Sequence, residues 1–134
     1  MMYSRLLLDH FEYPRNAGEL TLADAVVEVT NPVCGDLLKL SATMKAGKIH
    51  EAKFLCRGCT TAIACGSLLT EQLRGKELSE LKGLTAEYLS AALGAVPEAS
   101  YHAAQLAEDA VRALTAVLEK RESPPRFPSK SQSL

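Results

Sequence analysis

The sequence predicts an α+β fold, a three-stranded antiparallel sheet with four to five helices packed against it. Two observations carry this. A run rich in β-branched residues is followed by a period-two run that a short turn joins to a third strand-like run, which is the pattern of a meander. From Thr60 onward the apolar residues recur at helical spacing instead.

Taken in order, Tyr3 to Phe11 sets Leu7, Leu8 and Phe11 on one helical face, and Pro14, Asn16 and Gly18 stop it. "DAVVEVTN" is the first strand, and "LLKLSATMK" alternates Leu38, Leu40, Ala42 and Met44 with polar partners as the second. Ala46-Gly47 turns the chain into "KIHEAKFLC", the third. The link "NPVCGD" contains Pro32, which cannot donate to a ladder, and Gly35, which frees the backbone to bend, so Cys34 falls at a loop tip. A helix then starts near Thr60, carries Ile63, Leu68, Leu69 and Leu73, and stops at Gly75. "LSELKGL" reads as a short turn, "TAEYLSAALG" as a helix capped by Thr85 and ended by Gly94, and "AVPEAS" as a loop. His102 to about Arg121 is the longest helical stretch, with an apolar stripe through Leu106, Ala110, Leu114 and Leu118. Residues 1–122 are expected to form one domain. Residues 123–134, rich in Pro and Ser and without periodicity, are expected to be a flexible tail.

Composition narrows the function classes. With 134 residues and 47% apolar content, the chain can bury roughly two-thirds of its unfolded surface. Fifteen basic residues against sixteen acidic ones leave no footprint for nucleic acid or an anionic membrane, so neither partner is expected. Near the N-terminus only Leu6, Leu7 and Leu8 are contiguous and apolar, too few for a signal peptide or a membrane span. A cytoplasmic location is expected, with the four cysteines reduced and therefore serving as packing, metal ligands or reactive groups.

Chemistry-bearing residues collect at the ends of elements: Cys34 and Asp36 on the first interstrand loop, Cys59 at a helix start, and His102 in the first turn of the last helix. A helix N-terminus favours an anionic ligand. Two cysteines, an aspartate and a histidine make a mixed sulfur, nitrogen and oxygen donor set suited to zinc or to iron bound through sulfur. Cys56-x-x-Cys59 is half of a zinc motif with no second half. A redox pair on the same motif would need a βαβ unit, which a meander lacks. The Gly75-Lys76 pair is no phosphate loop, because Thr70 stands where the leading glycine belongs. Cys56 is a candidate extra ligand through a tight Arg57-Gly58 turn, whereas Cys65, six residues beyond Cys59, is expected to face the core. His10 and His50 are expected to be surface or structural.

"YSRLLLDHFEYPRNAG" at the start, "CGD" at 34–36, "GCTTAIACGSLLTEQLRGKEL" at 58–78 and "HAAQLAEDAVRAL" at 102–114 together resemble the IscU/NifU-type iron-sulfur cluster assembly scaffolds, the family of the NifU-like N-terminal domain. The resemblance implies a non-enzymatic protein with a metal site at one end. There, sulfur from a cysteine desulfurase and iron would form a transient [2Fe-2S] cluster that passes to recipient or carrier proteins. It implies Cys34, Asp36, Cys59 and His102 as metal ligands, and Cys34 or Cys59 as persulfide acceptor. The cysteine that follows the histidine in the family is Ala103 here. The loop 96–100 reads "VPEAS" in place of the run that a dedicated Hsp70 chaperone recognises in the family, so that contact is not expected. The interval from Cys59 to His102 carries no insertion of the kind seen in the related SufU branch. A second reading of the same donors is a zinc-binding sulfur-transfer adaptor that stimulates a desulfurase without carrying a cluster.

Overall fold

The computed structural model describes residues 2–122, and the tail expected over 123–134 lies outside the described residues. Helix α1 (Arg5–Glu12) begins at Ser4, whose hydroxyl accepts from the Leu7 amide at 3.0 Å and so satisfies one of the free donors of the first turn. Strands β1 (Ala25–Thr30), β2 (Leu37–Lys45) and β3 (Lys48–Arg57) form an antiparallel sheet in the order β1-β2-β3. Helix α2 (Thr60–Leu73) follows. After it come a 3₁₀ turn over Leu78–Gly83, helix α3 (Ala86–Ala92), a second 3₁₀ turn over Glu98–Ser100, and helix α4 (Tyr101–Glu122). The α+β architecture is therefore as the sequence predicts. "AVPEAS" differs from its reading as a plain loop, because its last three residues wind into a turn that feeds α4.

The β2-β3 link is a two-residue turn with positive φ at both Ala46 (54°) and Gly47 (78°), the left-handed geometry that matches strand twist. Pairing then shifts between Thr43 and Met44: Thr43 faces Glu51 while Met44 faces Ile49, which leaves His50 as an exposed bulge residue. β3 is an edge strand, and its free side is blunted at two points. Asn16 O accepts from Phe54 N at 3.0 Å and Gly18 N donates to Phe54 O at 2.8 Å, while Gly75 N and Lys76 O bond Ile49 further along.

The helices pack on one face of the sheet. Val27, Leu38, Leu40, Ala42, Ala52 and Phe54 point into this layer, and the long stripe of α4 through Leu106, Ala110, Leu114 and Leu118 closes it. Helix α2 is buried on most of its circumference because it lies among β3, α1 and α4. It approaches β3 through Gly66, where an added Cβ would stand 2.5 Å from Cδ2 of Phe54. His10, on the buried side of α1, places Nδ1 2.7 Å from the Ser67 hydroxyl of α2, which also accepts from the Arg15 amide at 2.8 Å. His10 Nε2 faces Glu71 at 3.5 Å, so the tautomer protonated at Nε2 satisfies both contacts. His10 is thus structural, as expected.

Two outcomes follow. Gly66→Ala overpacks the α2-β3 contact and is expected to cost about 1–3 kcal/mol, read as a lowered urea midpoint at unchanged m-value. Burial, with the Arg15 charge second, holds His10 below its usual 6.5 despite the opposing Glu71 and Asp9. The unfolded chain then takes up this proton first. The contribution of His10 is complete above pH 6.5 and is lost as pH falls through 6.5 toward the folded value. His10→Gln is expected to flatten that part of the stability profile, and an unchanged slope would refute the assignment.

Candidate metal centre

Residues 31–36 leave β1 and return into β2 as a tight, self-bonded loop. The Asn31 side-chain oxygen accepts from the amides of Val33 (2.9 Å) and Cys34 (3.4 Å), the Asn31 carbonyl accepts from Gly35 N (2.7 Å), and Asn31 N donates to Asp36 O (2.9 Å). Gly35 takes φ +78°, a conformation that a side chain would strain. The loop exposes Cys34 and Val33 and turns Asp36 inward, where it is only 8% exposed.

Two other elements end at this edge of the sheet. β3 runs out at Arg57, Gly58 turns, and Cys59 becomes the N-cap of α2 with extended backbone and no side-chain hydrogen bond to the first turn. The Asp36 carboxylate lies over that turn: a Cβ on Gly58 would be 2.9 Å from Cγ of Asp36 and 3.1 Å from Cβ of Ala62. α4 begins alongside with His102, whose Nε2 is 3.8 Å from Oδ2 of Asp36. A buried hydrogen bond of 2.8 Å between the hydroxyls of Thr61 and Ser100 ties the first turn of α2 to the entry of α4.

One ligand atom each from Cys34, Asp36 and His102 lies within 4.8 Å of the other two, a spacing that one metal ion can bridge. Asp36 Oδ2 is buried with no hydrogen-bond partner, a costly state for a carboxylate oxygen that a bound cation would relieve. The donors are thiol, imidazole and carboxylate, which fits a borderline or soft divalent metal. The structure brings together three of the four residues expected as ligands. The Cys59 thiol lies at the same edge but outside that group.

The remaining thiols sort by depth. Cys56 is half-buried on the helix-facing side of β3, and burial, followed by the charges of Asp36 and Cys59, pushes it up to about 12. Cys65 is fully buried in the core, as expected, and is likewise pushed up to about 12 by burial, with Cys59 and Cys56 as the charged neighbours. All four cysteines are free thiols. Ala103, next to His102, is 1% exposed. Thr61 and Ser100 support the site and escape sequence reasoning, and Gly58 was readable as a turn residue but not as the seat of the Asp36 carboxylate. Asn31, which opens the turn-rich "NPVCGD", carried a readable signal.

A small two-layer α+β protein whose thiol, imidazole and carboxylate donors meet where three element ends converge has the make-up of a metal-site protein. The family model of the NifU-like N-terminal domain matches residues 2–123, and the chain belongs to that family. Among curated relatives, the iron-sulfur cluster assembly scaffold protein IscU 1 of Archaeoglobus fulgidus is 42% identical over 83% of this chain and 72% of its own length. The corresponding IscU of Escherichia coli K12 is 38% identical over 87% of this chain and 93% of its own. In fold, the chain is similar to a NifU-like N-terminal protein from Brucella abortus, with a TM-score of 0.73 at 19% identity over 88% of this chain and 94% of that one.

Gly58→Ala tests how tightly the turn holds the carboxylate. The added methyl must displace Asp36, and an affinity loss of about 10–100-fold for Co²⁺ is expected by titration, with the far-UV circular dichroism retained. Unchanged affinity would show that Asp36 does not depend on the turn.

Proposed function

We propose that this chain is a scaffold on which iron and sulfide are assembled into a transient [2Fe-2S] cluster, its cargo, for delivery to recipient or carrier proteins. The observation that carries this reading is the convergence of Cys34, Asp36 and His102 within 4.8 Å at the edge where Cys59 caps α2. The names of the IscU relatives, similar over most of both chains, support it. The four residues would hold the cargo together. Asp36 is a hard donor among soft ones, so its bond to cluster iron would be weak, which suits a site that must give up what it holds.

Sulfur would arrive as a persulfide from a cysteine desulfurase, and its reduction to sulfide would draw electrons from ferrous iron and from an external thiol or protein reductant. Cys34 is the better placed acceptor, because its thiol sits on the exposed loop beside Val33, which is 94% exposed and offers an apolar contact to a docking partner. Cys59, at the helix start, is the second candidate. The chain itself would break no substrate bond and would work in the cytoplasm, where desulfurase and recipients meet it. The same donors would take zinc when iron is scarce. A zinc-holding adaptor is the weaker reading, because the closed tetrahedral shell it needs would have to include Cys59, which stands outside the tight group.

Anaerobic reconstitution with ferrous iron, cysteine, a desulfurase and a dithiol reductant is expected to give a brown protein with sulfide-to-iron charge-transfer absorption. Cys34→Ser and Cys59→Ser should each remove most of it. If neither does, the scaffold reading is lost. A colourless protein holding one zinc that resists exchange would favour the adaptor.

A further inference from the structure

The C-x-x-C pair that ends β3 is not absorbed by the tight donor group. Cys56 pairs with Leu38 across β2, and Leu38 is 2% exposed on the inner face, so Cys56 shares that face. Asp36, two residues before Leu38, stacks over Gly58, two residues after Cys56. Asp36 and Cys56 are therefore diagonal cross-strand neighbours, a relation that spans about 7–8 Å between Cα atoms and less between side chains. Cys59 follows Gly58 directly and opens α2 with its thiol uncommitted to the helix.

The Asp36 carboxylate thus lies between two donor sets. Cys34 and His102 gather on one side of it. Cys56 and Cys59 flank the Arg57-Gly58 turn over which that carboxylate lies, and the glycine leaves room for it. We propose that Cys56 and Cys59 form a dithiolate clamp for a soft metal ion, a second half-site that shares Asp36 with the Cys34-His102 half. The clamp rests on the reading that this end of the molecule holds metal, and it adds a position that takes one of two adjacent ions. C-x-x-C is the spacing with which two thiolates of one turn close on a single ion. The partly covered position of Cys56 slows the exchange of that ion with solvent relative to one held at Cys34 on the exposed loop.

The test is titration of the fully reduced chain with Cd²⁺ alone, under anaerobic conditions, reading thiolate-to-cadmium charge-transfer absorption at saturation. With three thiolates engaged, Cys56→Ser and Cys59→Ser are each expected to remove about one third of the signal, and their combination about two thirds. Cys34→Ser changes only an exposed loop residue and is expected to leave about two thirds. Cys65→Ser is expected to leave the signal whole. A Cys56→Ser plateau equal to that of the unaltered chain overturns the clamp, as does a Cys34→Ser chain with no signal, or a loss in Cys65→Ser in place of Cys56→Ser. Cadmium binding needs no sulfide and no desulfurase. Failure of cluster assembly alongside the expected cadmium pattern therefore sinks the scaffold reading alone, and the converse sinks the clamp alone.

Discussion

The buried carboxylate of Asp36 is the constraint on which the arrangement of this end of the molecule depends. A carboxylate oxygen at 8% residue exposure with no hydrogen bond is unfavourable by itself, and the fold tolerates it through two features. Gly58 gives it room, and the His102 imidazole stands 3.8 Å away. Both features belong to turns at the ends of regular elements. The stability of the rest of the domain holds the carboxylate in a place that it would not choose alone. A bound cation would give that oxygen the partner that the surrounding side chains do not supply.

That placement requires the three contributing elements to keep their relative positions without a shared backbone. β2 and β3 are fixed by their ladder, so the loop carrying Asp36 and the turn carrying Gly58 cannot slide apart without flipping Leu38, Leu40 and Phe54 out of the core. α4 has no such ladder. Its first turn is held by burial of its stripe and by the Thr61-Ser100 hydrogen bond, which links the helix that Cys59 caps to the helix that begins with Tyr101 and His102. The site is accordingly firm on its sheet side and depends on a few contacts on its helix side.

Much of this was legible in the sequence. Period-two alternation in "LLKLSATMK", the turn at Ala46-Gly47 and the helical stripe of α4 each encode a local structure, because side-chain direction follows directly from backbone period. Cys34, Asp36 and His102 were readable as site residues because loops and element ends are marked by Pro, Gly and changes of period. What the sequence could not reveal is which way diagonal neighbours point across a register. The bulge at His50, the pairing of Cys56 with Leu38 and the approach of Gly58 to Asp36 are long-range facts with no local signal. The same holds for Ser67, an ordinary small residue in α2 until His10 and the Arg15 amide are brought onto its hydroxyl from α1 and the loop beyond it.

The burial of Ala103 gives the thiol arrangement its meaning. The position beside His102 is 1% exposed and holds a methyl group, so α4 offers the site an imidazole and no sulfur. Every thiol near the metal-binding end comes from the sheet loop or from the strand-to-helix turn. A ligand on α4 would be lost whenever the entry of that helix loosened. Thiols at residues 34, 56 and 59 stay with the β2-β3 ladder and the start of α2, which pack against each other. His102 is the one member of the tight group that moves with α4 rather than with the sheet. If this end of the molecule holds a metal cargo as proposed, retention would fall to the sheet side and departure to one imidazole on the helix side, which would separate the two tasks physically.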